Sequence, residues 1–319
     1  MKIGYIGSGP ISNFHIPAIK KNGIDIEAIG TKVNSESCKS FSKLHDLENK
    51  YCPGGWKEIL SKDLDAFYIC VKVDATLEIL LKALSTNRPI FVEKPITWHP
   101  NNMKDLLEHK NSKNIFVGFN RRYYSTTKKL KDLCDSSIGG TIILNIPESD
   151  YGIKQFINNG CHMVDTLRYL IGDINILKNS IRINKDKNNI DSISAICKNQ
   201  KWDILINSHS QIPSNFSITV NTEKKVFELK PIEKLSIYEG MDIIEPTNAE
   251  PIRKYIPHLK DSFIEKNKFK PGFEEMHKNF KLFISKEFSQ ICSLDDAFKT
   301  LETAWNLMDS DIAKSFKFN

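Results

Sequence analysis

Four short stretches of this 319-residue chain carry residue types that could do chemistry. The first is Gly7-Ser8-Gly9-Pro10-Ile11-Ser12, which follows a β-rich run at residues 2–7 and precedes a helical stretch reaching about Asn22. A helix N-terminus exposes unpaired N–H groups and the positive end of the helix dipole, and glycines before it let a pyrophosphate approach the backbone. Gly7 and Gly9 fill two places of G-x-G-x-x-G and Ser12 takes the third, in the strand–turn–helix context that dinucleotide binding requires. Gly7, Ser8, Gly9, Pro10 and Ile11 are therefore the expected phosphate contacts; out of context, two glycines mark only a turn. The next strand ends Gly30-Thr31-Lys32, with no acid to hold a ribose 2′-hydroxyl. Thr31 and Lys32 lean the expectation from NAD toward NADP, whose 2′-phosphate Lys32 would favour; the bland alternative is a lysine pointing into water.

The second stretch, Phe91-Val92-Glu93-Lys94-Pro95, delivers a charged pair at the C-terminal end of a buried strand, where ligands bind in open α/β sheets. Lys94 is expected to face the nicotinamide, with Glu93 beside it and Pro95 fixing the turn. Val71 and Lys72, where the third strand ends, should pass the cofactor as well. The third stretch, Asn120-Arg121-Arg122-Tyr123, offers groups for an anionic or hydroxylated substrate. Arg122 and Tyr123 are the expected contacts, while Arg121 reads equally well as a salt-bridged domain junction. The fourth is Asn158-Asn159-Gly160-Cys161-His162-Met163-Val164-Asp165. In a regular helix Asn158, His162, Asp165 and Tyr169 make one polar stripe. His162 could take the proton of an alcohol as hydride leaves it, with Asp165 holding its tautomer. A lone histidine is ordinarily a satisfied core residue; the stripe favours catalysis. Histidines are dispersed, so no metal site is expected.

These residues need elements to position them. Up to residue 121, strands and helices alternate with short connections, which predicts an α/β Rossmann domain with a parallel sheet at residues 1–120. Beyond it, helices near 123–135 and 154–171 bracket a strand at 141–146. Alternating segments at 190–197, 202–208, 216–221, 225–229 and 235–238 follow without helices between them, and helices return at 273–288 and 294–314. That order predicts an α+β domain with an open, mostly antiparallel sheet at 121–319, its last helices able to pack back on the first domain. A cleft is expected at the tight boundary. The length suffices for two cores.

Composition narrows the classes. With 26% charged residues, a net charge of +6 and lysines scattered among acids, the chain lacks the basic stripe of a nucleic-acid binder, though the excess suits an anionic substrate such as a nucleotide sugar. No apolar run approaches the ~20 residues of a membrane helix, and the start is too short for a signal peptide. Seven cysteines without a C-x-x-C pair argue for reduced thiols in a cytoplasmic protein, not for a disulfide framework or a zinc site.

In their order and spacing these stretches resemble the glucose–fructose oxidoreductase/inositol dehydrogenase/MocA (Gfo/Idh/MocA) family. The resemblance covers nearly the whole chain: Gly7-x-Gly9 with His15 after it, Glu93-Lys94-Pro95, Gly118 to Tyr123, Gly160-Cys161-His162-x-x-Asp165 and Lys270-Pro271-Gly272-Phe273. It implies NAD(P)-dependent oxidation or reduction at a carbon of a carbohydrate: a sugar, nucleotide sugar or cyclitol. It also implies a substrate-binding second domain whose sheet joins copies into a homodimer or homotetramer. Lys94 would carry over as the catalytic lysine that hydrogen-bonds the reacting hydroxyl, and His162 as the acid/base. The family usually has an aspartate where this chain has Asn158, and a histidine where it has Thr76. An amide orients a hydroxyl but cannot take its proton, so His162 or Lys94 must bear the transfer. Members acting on nucleotide-sugar uronic acids resemble the asparagine pattern, which points to surface-glycan biosynthesis. The alternative is a non-catalytic dinucleotide-bound regulator or scaffold of the same fold, which would need neither Lys94 nor His162.

Overall fold

A computed structural model describes residues 1–150, 152–184, 189–266 and 268–308. The chain begins β1 (Lys2–Ile6), α1 (Ser12–Lys21), β2 (Asp25–Gly30), α2 (Glu36–Leu44), α3 (Trp56–Leu60), β3 (Ala66–Ile69), α4 (Val73–Leu84), β4 (Ile90–Val92), α5 (Lys104–Glu108) and β5 (Ile115–Val117). It continues α6 (Ser125–Asp135), β6 (Gly140–Glu148), α7 (Ile153–Gln155), α8 (Cys161–Ile171), β7 (Asn175–Asn184), β8 (Asn189–Lys198), β9 (Trp202–Ser210), β10 (Ser217–Asn221), β11 (Lys225–Leu229), β12 (Lys234–Ile244) and β13 (Lys254–Ile264). It then returns to helix in α9 (Phe273–Ile284) and α10 (Leu294–Leu307). Two compact units result, one from Met1–Tyr123 and the returning stretch up to Trp305, the other from Tyr124–Lys266 and the end of α10.

The first unit is built on a five-stranded sheet in the order β2-β1-β3-β4-β5, with every pair parallel. Strands β3, β4 and β5 are buried at every position, as a sheet covered on both faces demands. Register places Tyr68 beside Phe91 and Phe91 beside Phe116, and their rings stack at 4.9 and 5.6 Å between centroids. Helix α9 seals this aromatic row: Phe280 meets the three rings edge-on at 4.9, 5.7 and 5.4 Å. Phe273 and Met276 of the same helix are buried in one cluster with Ile3, Tyr5, Ile16 and Ile19. Asn22 at the end of α1 donates to the Glu274 carbonyl and accepts from Lys281, so α1 and α9 are also tied by hydrogen bonds.

The second unit holds an eight-stranded sheet in the order β13-β12-β11-β10-β6-β9-β8-β7, antiparallel except for the β6–β9 pair. Along β9, Trp202, Ile204 and Ile206 point inward while Asp203 and Leu205 face out. Leu205 lies opposite Ile196, and with Leu177 these leave an apolar patch on the outer face. Helices α6 and α8 pack on one another, α6 against β11 and β12, α8 against β6. The expected Rossmann sheet and the expected open, mostly antiparallel sheet are both present. Strand β13 was not foreseen; nearly every one of its residues is exposed, so it carries no in–out alternation. The expected last helix ends its described course at Leu307, and residues 309–314 lie outside the described residues. Among the described residues no helix is long and apolar enough to cross a membrane.

Candidate active site

In the first unit, the glycine turn sits where β1 leaves the sheet. The Gly7 N–H donates to the Gly30 carbonyl, and a Cβ at Gly7 would stand 2.4 Å from the Cys70 carbonyl oxygen. Only a residue without a side chain passes β3 here. At Gly9 a Cβ would meet nothing within 4 Å, so the backbone there faces open space. Helix α1, ten residues long, starts just beyond with no side-chain cap and no acidic residue in its first turn. An open approach to an uncompensated positive helix end fits a dinucleotide pyrophosphate. Gly9→Ala should therefore leave unfolding free energy within about 0.5 kcal/mol of wild type. Its dinucleotide Kd, measured by fluorescence titration, should rise at least about tenfold, a loss of ~1.4 kcal/mol.

The other cofactor candidates line the same carboxyl edge. Register pairs Ile6 with Gly30 and with Ile69, and Ile69 with Val92, so the strand ends are level. Thr31 follows β2, Val71 and Lys72 follow β3, and Glu93 and Lys94 follow β4, while Pro10 and Ile11 lead into α1. Burial pushes the pKa of the Cys38 thiol up, with Thr31 and Ser8 near enough to offset it in part. Lys32 is exposed beside Thr31, and Lys72 is exposed at the start of α4.

Glu93 is held at both carboxylate oxygens. Oε1 stands 2.7 Å from His15 Nε2, and Oε2 accepts the Lys94 main-chain N–H at 3.0 Å. The Lys94–Pro95 peptide is cis. His15, fully buried in α1, packs between Phe91 and Phe273 with centroids 5.5 and 4.6 Å away. Its Nδ1 meets His277 Nε2 at 3.0 Å, and His277 Nδ1 faces the Tyr68 hydroxyl at 3.4 Å.

Burial, with His15 adding to it, pushes the His277 pKa well below its ordinary 6.5. The unfolded chain takes up a proton near that pH which the folded ring refuses, so this contribution to stability is present above it and lost as pH falls. His45 and His99 are lowered too, mainly by burial, and act in the same direction. Denaturant unfolding should show stability falling from pH 7 to 5, with a smaller slope in His277→Gln.

One member of this cluster is invisible to spacing. Lys270 lies just before α9, its amine 4.8 Å above the Phe14 ring and 5.5 Å from that of Phe273. Burial pushes its pKa down; Glu93 draws it back up, and Lys94 and Arg121 push it down further. The cations Lys94, Arg121 and Lys270 thus gather near the Glu93 carboxylate. The substrate candidates Arg122 and Tyr123 are instead engaged in packing: Arg122 pairs with Asp296 at 3.0 Å, and the Tyr123 hydroxyl donates to the Gln290 carbonyl at 2.8 Å. Both are buried.

In the second unit, the segment carrying His162 is not one regular helix. Between α7 and α8 the backbone makes a π-helical turn over Phe156–Gly160, a rare geometry that recurs at functional sites. The extra residue breaks the simple stripe: Asn158 is exposed, His162 is 9% exposed, and Asp165 is fully buried. The Thr166 hydroxyl donates to the His162 carbonyl. Sequence reasoning passed over Glu148, the last residue of β6 and 4% exposed. Its Oε2 accepts from Gln155 and from Asn159, each at 3.1 Å. A Cβ at Gly160 would come 2.8 Å from Glu148 Oε1 and 2.7 Å from the Phe156 ring, so the glycine gives the carboxylate its place under the π turn. The one signal available was an acid ending a strand that is otherwise apolar on its inner face.

Residues 1–120 match the Gfo/Idh/MocA model, an oxidoreductase family with an NAD-binding Rossmann fold. An inositol 2-dehydrogenase/D-chiro-inositol 3-dehydrogenase from Lacticaseibacillus casei is 27% identical over 183 residues, 56% of this chain and 53% of that one. The chain spans about half the length of the curated relatives it matches. Two crystal structures share the fold of this chain. A dehydrogenase from Clostridium difficile has a TM-score of 0.78 at 18% identity, covering 97% of this chain and 99% of that one. A 3-ketoreductase from Actinomadura kijaniata, in complex with TDP-benzene and NADP, has a TM-score of 0.72 at 13% identity, covering 97% of each chain.

Proposed function

We propose that this chain is an NAD(P)-dependent oxidoreductase acting on a CH–OH group at a ring carbon of a sugar, nucleotide sugar or cyclitol. The observation that carries the reading is one edge of the parallel sheet. An open glycine turn on an acid-free helix N-terminus and the braced Glu93–Lys94 pair stand at the ends of β1 and β4, with β3 between them. A bound nicotinamide supplies the two-electron acceptor or donor. The chain's own residues supply binding, orientation and proton handling. Gly7, Ser8, Gly9, Pro10 and Ile11 hold the pyrophosphate, Thr31 and Lys32 the adenosine ribose, and Val71, Lys72 and Glu93 the nicotinamide half. Lys94 Nζ hydrogen-bonds the reacting hydroxyl, and the His162 imidazole takes or gives its proton. Asn158 orients a neighbouring hydroxyl, and Glu148 steadies the π turn that carries it.

The second unit is the substrate domain in this scheme, and the outer apolar face at Leu177, Ile196 and Leu205 is where a second copy binds to form a dimer or tetramer. The cytoplasm is the compartment that seven free, buried thiols suit. Named inositol dehydrogenases among the relatives support a cyclitol. The cations at Lys94, Arg121 and Lys270 favour an anionic substrate such as a nucleotide sugar of surface-glycan synthesis, with Arg121 replacing Arg122 as the arginine in contact. Lys32 favours NADP. Lys32→Glu is expected to weaken NADP at least about tenfold and NAD little, seen by titration with each.

The test is to identify any dinucleotide that copurifies, then follow reduced-cofactor absorbance with sugars, cyclitols and nucleotide sugars in the presence of NAD or NADP. Turnover of one of them is the expected result. Tight dinucleotide retention without turnover of any would replace this reading by the regulator or scaffold.

A further inference from the structure

We propose that His277 is a positioning residue for Lys94: by donating to His15 Nδ1 it holds the His15 ring in place, and through His15 the orientation of the Glu93 carboxylate that holds the Lys94 main chain. The proposal rests on the catalytic reading of Lys94 given above, but its structural half can be tested without turnover.

Four side chains from four parts of the first unit stand in line. Tyr68 comes from β3, His277 from α9, His15 from α1, and Glu93 follows β4. Successive contacts are 3.4, 3.0 and 2.7 Å, and the Lys94 N–H closes the line on the far carboxylate oxygen at 3.0 Å. A neutral imidazole carries one proton on two nitrogens, and a carboxylate oxygen only accepts. The His15 proton must therefore sit on Nε2 to serve Glu93, which leaves Nδ1 a bare acceptor. His277 meets that need by carrying its own proton on Nε2, and its Nδ1 is then free to accept from the Tyr68 hydroxyl. With one proton on each ring, no other assignment satisfies every contact. All the donors point one way, toward Glu93.

His15 has no alternative partner in view. Its ring is fully buried between Phe91 and Phe273, and solvent cannot replace His277 at Nδ1. An unmatched acceptor in such a pocket is unfavourable. Without His277 the buried Nδ1 is left an unmatched acceptor, and the ring lowers its energy only by turning toward another donor, which draws its Nε2–H off Glu93; the proton itself stays on Nε2, because a lone pair there would face the carboxylate. The carboxylate is then free to rotate, and its other oxygen leaves the Lys94 N–H. The lysine loses the brace that aims it, although His277 touches neither substrate nor cofactor.

The experiment is ring-nitrogen NMR on histidine-labelled protein at pH 7.5, beside steady-state kinetics and dinucleotide titration. In wild type, His15 and His277 should each be protonated on Nε2 alone; a His15 protonated on Nδ1 overturns the proposal. In His277→Leu, the His15 proton should stay on Nε2, but its resonance, carried downfield by the Glu93 hydrogen bond in wild type, should move upfield. The kcat should fall about tenfold or more, and the dinucleotide Kd should stay within about twofold. The amide of His277→Gln can donate to the same His15 atom, so that variant should restore the downfield Nε2–H resonance and most of kcat. A Leu variant with both resonance and kcat unchanged overturns the proposal. Should the Leu variant not fold, wild type and His277→Gln decide it: a Gln variant with the wild-type resonance and most of kcat supports it, and one that keeps the resonance but loses kcat overturns it. A wild type inactive on every substrate but with the expected tautomers would instead overturn the oxidoreductase reading alone.

Discussion

Lys94→Ala is expected to lower turnover by about a thousandfold or more while dinucleotide affinity changes by less than about threefold. The substitution removes the amine but leaves the main-chain N–H that Glu93 Oε2 accepts, so the carboxylate keeps its hydrogen bonds to the backbone and to His15. The edge of the sheet should therefore retain its shape, and the glycine turn at β1 is untouched. Loss confined to kcat would mark an interaction made at the reacting hydroxyl, whereas a rise in KM alone would mark general substrate binding. Single-turnover mixing of cofactor-loaded protein with substrate separates the two. Wild-type rates in the variant would end the assignment of Lys94 as the catalytic lysine.

Gly7→Ala should destabilise the first unit sharply. The new Cβ would stand 2.4 Å from the Cys70 carbonyl oxygen and 3.0 Å from that residue's own Cβ, backbone and buried side chain that cannot swing aside. Overpacking of this kind costs about 3 kcal/mol where strands must separate, and for a protein of this size the melting temperature should fall by roughly 6–10 °C. Calorimetry with and without dinucleotide checks it. The same methyl at Gly9 meets open space, so the two variants should divide cleanly, one losing stability and the other the ligand. Equal melting temperatures for both would show that β1 does not pass β3 as closely as the structure has it.

Why some of this was legible in the sequence and some was not follows from range. The strand residues Phe67 to Ile69, Ile90 to Val92 and Ile115 to Val117 are continuous apolar runs because both faces of their sheet are covered, and such runs can be read without knowing what covers them. Strand β11 (Lys225–Leu229) was read at its full extent. The exposed ribbon of β13 was not, since neither of its faces is sorted by burial. Near residue 105 the chain makes a 3₁₀ turn followed by the five residues of α5, a distinction that apolar spacing does not draw. The π turn at Phe156–Gly160 is a backbone choice made by packing against Glu148, and the residues themselves read as ordinary helix. The cofactor candidates could be named because strand ends declare them. The His15–His277 contact and the position of Lys270 could not, because each joins parts of the chain on either side of residues 124–266.

That interruption has a consequence for how the protein is made. When the ribosome has released residues 1–123, every strand of the parallel sheet exists, but the helix that seals Tyr68, Phe91 and Phe116 has not been synthesised. At ~5–20 residues per second, α9 emerges on the order of ten seconds later. Throughout that interval a nascent sheet presents a row of aromatic rings to water, a surface that invites self-association or chaperone binding. The unit that carries the glycine turn begins before the eight-stranded sheet and is completed after it, and a message truncated before α9 should yield an aggregating fragment in place of a small, independently folded one.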